Sequence, residues 1–159
     1  MKQVSNKPVI SEYGSVDPAP AEASSNIPHL KKILLDEDTA MFKRMRALRV
    51  EKSCWTTVHR CPLSGFAAKS ALLRHELAYV LGQIQDVAAL PTLVGRLQDP
   101  DEHLMVRHEA AEALGAIGDP SIEPVLQMFV RGPSPEVAES CLVALDLLTF
   151  CNDERHLAT

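Results

Sequence analysis

Apolar residues fall into helical periods from Ile27 onward. Leu30, Ile33 and Leu34, then Met41, Phe42, Met45 and Leu48, recur at three- and four-residue steps, the spacing of one helix face. The pattern fails between Glu51 and Lys69, where Trp55, two threonines, Pro62 and Gly65 define neither a helical nor a strand face. From Ser70 to about Phe150 it is strong again. Within that region the chain repeats itself. Leu72-Leu73-Arg74-His75-Glu76 aligns with Met105-Val106-Arg107-His108-Glu109, Leu81-Gly82 with Leu114-Gly115, Asp86 with Asp119, and Pro91 with Pro124. The offset is a constant 33 residues, His75 to His108. A third, weaker copy from Glu136 to Leu145 follows at a shorter offset.

Each unit reads as a helix, a turn at Asp86 or at Asp119-Pro120, a second helix, and a Pro- or Gly-containing turn. One such hairpin cannot bury its own apolar face, so the units must stack as an α-solenoid. The predicted fold is all-α, with about four repeats, the first degraded. Residues 1–28, which are rich in proline, read as a flexible linker or arm. Residues 29–151 read as the repeat domain, irregular over 51–69, and 152–159 as a tail.

The repeated His-Glu pairs carry the candidate chemistry. Leu73, Leu77, Val80, Leu81 and Ile84 share one stripe, as do Val106, Ala110, Ala113, Leu114 and Ile117. His75 falls roughly 175° from the centre of its stripe and Glu76 roughly 85° from it, and His108 and Glu109 take the same places. Packing within a hairpin therefore does not ask for them. Gly82 and Gly115 lie on nearly the histidine face and are expected to clear room above it for something to approach. Stacked repeats set equivalent positions on the order of 10 Å apart, which would converge two imidazoles and two carboxylates. That nitrogen–oxygen ligand mix suits Zn, Mn or non-haem Fe. A single His-Glu dipeptide is usually a solvated polar pair. Two copies in register are more than that, unless repeat duplication merely copied them.

Composition and charge narrow the classes. Hydrophobic residues make up 46% and aromatics 4%, a balance that favours helices. A net charge of −5 argues against nucleic-acid binding and suits a cationic ligand or basic partner. No run of 18 apolar residues is present, so no membrane span is predicted, and the polar N-terminus lacks a signal-peptide core. Four sparse cysteines suit a reducing, cytoplasmic setting. Cys54, His59 and Cys61 have the wrong spacing for a zinc knuckle and read as an irregular loop. Lys43, Arg44, Arg46, Arg49 and Lys52 read as a solvated basic helix face. Arg74 and Arg107 precede the histidines and either hold carboxylates beside the ligands or are plain exposed charges. His29, His103 and His156 fit polar surface or turn positions.

The segment Ala113-Leu114-Gly115-Ala116-Ile117-Gly118-Asp119-Pro120 is typical of HEAT-like repeats. Residues 70–86 and 105–120, with their paired His-Glu motifs, resemble the deoxyhypusine hydroxylases. Generic HEAT repeats do not carry such pairs, and the resemblance covers about residues 15–50 and 68–148. It implies an iron-dependent monooxygenase that hydroxylates the deoxyhypusine side chain of a translation factor to form hypusine. It further implies four His-Glu pairs, two from each half of a pseudo-symmetric chain, holding two irons. Carried over by position, His75, Glu76, His108 and Glu109 are the expected iron ligands, and Glu112, one turn from His108, is a candidate contact for the cationic substrate. Two pairs are present where the family pattern has four, and Ser15-Val16-Asp17-Pro18-Ala19-Pro20 resembles the segment joining the family's halves. The expectation is a C-terminal half, completed by a homodimer or by a separate N-terminal half. The alternative is a non-catalytic helical-repeat binding module.

Overall fold

The computed structural model describes residues 26–48 and 65–157, with side chains to Cys151. The arm at 1–25, the Cys54/His59/Cys61 loop, Arg49 and Lys52 of the basic cluster, and most of the irregular segment lie outside the described residues. Seven α-helices are described: α1 (Ile27–Leu35), α2 (Met41–Leu48), α3 (Ala71–Ile84), α4 (Leu90–Gln98), α5 (Leu104–Ile117), α6 (Glu123–Gln127) and α7 (Pro135–Leu157). There is no strand among the described residues. The last helix runs on through 152–157, the segment read from sequence as a tail.

Local chemistry sets the repeat. Ser70 caps α3 by accepting the Leu73 N–H, and His103 caps α5 through Nδ1, which accepts the Met105 N–H at 3.2 Å. The cap role of His103 fits its reading as a turn residue. Both first helices end in left-handed residues, Gln85 (φ 57°) and Gly118 (φ 74°). Asp86 and Asp119 then turn the chain by accepting the Ala88 and Ser121 N–H groups at 2.9 and 2.8 Å. Pro91 and Pro124 open the second helices, where a missing N–H is harmless.

α3, α5 and α7 stack side by side as one layer; α4 and α6 pack against α5 and α7 from the other. The leucines of the stripe fill the space between layers, with Leu73, Leu77, Leu93, Leu97, Leu114 and Leu126 fully buried. The helices of the first layer bury a second face as well. Ala78, Gly82, Ala111 and Gly115 are buried although they lie off the leucine stripe. A Cβ on Gly82 would stand 2.9 Å from Ala113 Cα, and one on Gly115 would stand 2.7 Å from Ala144 Cα. These glycines therefore clear room for the next helix of the solenoid and not for a ligand, which corrects the expectation from sequence.

The basic cluster is corrected at one position. Arg44 is 2% exposed and donates to the Leu34 carbonyl at 2.9 Å and to Glu37 at 3.0 Å. Arg107 donates in the same way to the Leu97 carbonyl at 3.0 Å. Each arginine thus closes the C-terminal end of the preceding helix. Arg74 joins neighbouring units by another route, through a two-pronged pair with the buried Glu102.

Candidate metal centre

Register places the two histidines. α3 and α5 cross at Gly82 against Ala113, so residues seven positions earlier on α3 face the first turns of α5. The His75 and His108 rings stack with centroids 6.0 Å apart and planes 27° from parallel. Glu109, only 8% exposed, lies between them: its Oε2 is 3.1 Å from His75 Nε2 and 3.7 Å from His108 Nε2. One ligand atom from each of His75, His108 and Glu109 falls within a span of 4.8 Å.

Glu76 is placed differently. Its Oε1 stands 3.7 Å from Nδ1 of His75, the other nitrogen of that ring, and outside the three-residue cluster. At that distance there is no hydrogen bond, and His75 Nδ1 is buried without one. The Glu109 carboxylate, and after it that of Glu76, holds the His75 proton up to about 9, against the opposing effect of burial. A site built to keep one imidazole flanked by two carboxylates is a site built for positive charge.

Two imidazoles and a carboxylate whose ligand atoms lie within 4.8 Å of one another fit a divalent transition metal bound through nitrogen and oxygen. Glu112 points to His108, with Oε1 3.2 Å from Nδ1, and also lines a cleft of about 590 Å³ with His103, Met105, Glu139 and Val143. Leu104, Met105 and Val143 give that cleft apolar lining, and Glu136 joins Glu112 and Glu139 in giving it negative charge. Arg74 and Arg107 do not touch the cluster's carboxylates; they hold Glu102 and the Leu97 carbonyl instead.

Sequence reasoning missed Ser140. It is 5% exposed, and its Oγ lies 2.9 Å from His108 Nδ1. The signal was present in the third copy. Glu109 precedes Ala113-Leu114 by four residues, as Ser140 precedes Ala144-Leu145. The glycine contacts fix that alignment, since Ala113 meets Gly82 and Ala144 meets Gly115.

This repeat register and paired-helix layering define a helical-repeat scaffold, and a family profile described as HEAT repeats matches residues 63–146. The chain belongs to the HEAT-repeat family. Among curated relatives it is similar to the deoxyhypusine hydroxylase of Arabidopsis thaliana, 49% identical over 144 residues, covering 89% of this chain and 46% of that protein. The deoxyhypusine hydroxylase of Danio rerio is 43% identical over 144 residues, covering 90% of this chain and 47% of the relative. A solved structure of human deoxyhypusine hydroxylase in complex with glycerol superposes with a TM-score of 0.75 at 40% identity, over 91% of this chain and 50% of that one. The chain spans about half the length of the curated relatives it matches.

Proposed function

We propose that this chain is one half of a deoxyhypusine hydroxylase, and that His75, His108 and Glu109, with Glu76 beside them, hold iron for hydroxylation of a deoxyhypusine side chain on a translation factor. The observation that carries the reading is the Glu109 carboxylate lying between two imidazoles from successive repeats. Bound iron supplies the redox chemistry that O2 activation needs. The chain's own residues hold the donors rigidly, because each sits on a helix locked by the glycine contacts. Glu112, Glu136 and Glu139 offer negative charge along the cleft, which suits an extended cationic side chain. A second ligand set would come from another copy facing this one or from the family's other half. A cytoplasmic location goes with this reading; among the described residues no helix is long and apolar enough to cross a membrane.

The alternative is a non-catalytic helical-repeat module for the same translation factor, built on the same HEAT repeats. One experiment separates them. The Fe(II)-loaded chain is mixed with O2 and a translation factor bearing deoxyhypusine, and the modified peptide is weighed. Gain of an oxygen atom, absent with His75→Ala, is the expected result. Binding of the factor without that gain would favour the module.

A further inference from the structure

The three first-layer helices carry an equivalent column of residues: Glu76 on α3, Glu109 on α5 and Ser140 on α7. Each histidine reaches the column residue of the next helix. His75 meets Glu109 through Nε2 at 3.1 Å, and His108 meets Ser140 through Nδ1 at 2.9 Å. The change from carboxylate to hydroxyl comes with a change of ring nitrogen.

A hydroxyl has a single proton to give. The Ser140 proton has an acceptor in its own helix, the Glu136 carbonyl at 2.9 Å, nearer than Glu112 Oε1 at 3.4 Å. With the proton committed there, a lone pair of Oγ faces His108 Nδ1 and asks it for an N–H. Glu112 Oε1 stands 3.2 Å from the same nitrogen as an ion-pair neighbour, and an ionised carboxylate has no proton to give it. Ser140, the hydrogen-bonded neighbour of Nδ1, therefore selects the tautomer, and Glu112 does not oppose it. That tautomer carries the proton on Nδ1 and the free lone pair on Nε2, the nitrogen turned toward Glu109.

We propose that Ser140 is a positioning residue that fixes His108 in its Nδ1–H tautomer and so leaves Nε2 as the donor atom of the centre. Partners of this kind orient and tune a ligating histidine without touching the metal. The tautomer assignment stands on the apo geometry; its consequence for metal rests on the reading of His108 as a ligand.

Long-range 1H–15N correlation spectra of the metal-free chain report directly which nitrogen of His108 carries the proton in the neutral ring. The expected result is Nδ1–H in the wild type and a shift toward Nε2–H in Ser140→Ala, with Ser140→Thr restoring the wild-type spectrum. In a chelator competition with Fe(II), Ser140→Ala should lose about ten- to a hundred-fold in affinity, and Ser140→Thr should recover most of it. Unchanged helicity in both variants separates this from unfolding. A wild-type ring protonated on Nε2 would overturn the proposal, as would a Ser140→Ala chain with wild-type tautomer and wild-type affinity. A wild type that binds no Fe(II), yet shows the tautomer switch, would sink the metal reading and leave the role of Ser140 standing.

Discussion

His75 Nε2 and Glu109 Oε2 meet at 3.1 Å across two helices held together by Gly82 and Ala113. The chemistry of the centre and the spacing of the solenoid are therefore one problem. The carboxylate reaches the ring because no side chain stands between the helices seven residues further along.

That coupling predicts an effect from a residue that touches neither histidine. A Cβ at position 82 would lie 2.9 Å from a backbone atom, so α3 or α5 must shift. Gly82→Ala should cost roughly 1–3 kcal/mol for overpacking, partly offset by about 1 kcal/mol of helix propensity. Gly115→Ala, at 2.7 Å from Ala144 Cα, should cost more. Denaturant midpoints give the ranking. Fe(II) titration of Gly82→Ala should show weaker binding with every ligand intact, and wild-type stability and affinity together would contradict the link.

Arg44 supports a second, structural prediction. Arg44→Met keeps most of the buried stem but leaves the Leu34 carbonyl without its donor. The loss should be roughly 1–3 kcal/mol, the cost of an unsatisfied buried group. Lys43→Met, one position away on an exposed site, should change stability by less than about 0.5 kcal/mol. Equal midpoints for the two variants would mean that Arg44 is no more than a surface charge.

Glu102 makes stability fall in acid. Burial acts to raise its carboxyl, but the Arg74 guanidinium, the His103 N–H and Arg96 outweigh that and hold it below its ordinary 4.5. A carboxyl depressed in the folded state stabilises fully above the unfolded value and loses that contribution as pH falls through the folded one. Melting temperature should therefore drop as pH falls below about 4.5. Glu102→Gln should be less stable at neutral pH by roughly 1–3 kcal/mol and show a shallower acid decline. An unchanged acid profile in that variant would assign the decline to other carboxylates.

Much of this was legible in the chain. The offset of His75 and His108, the aspartate turns and the proline starts all follow from local chemistry that repeats, and they were enough to bring three of the four expected ligands together. What local periodicity does not carry is the contact between repeats. Gly82 and Gly115 look like space above a site until the next helix is seen to fill it. Arg44 looks solvated because its acceptor, the Leu34 carbonyl, belongs to the previous helix. Ser140 was hidden by the shorter offset of the third copy, which shifts it out of line with Glu109. Glu76 has the right spacing, yet its carboxylate turns to the opposite nitrogen of His75.

The most direct measurement is iron per chain, with native mass, after anaerobic loading with Fe(II), for the wild type and for His75→Ala and His108→Ala. The expected result is one iron per wild-type chain, in a species that pairs two ligand sets, and loss of that iron in both variants with helicity unchanged. Equal iron in all three chains, or none in the wild type, would contradict the assignment of His75, His108 and Glu109 as a metal centre.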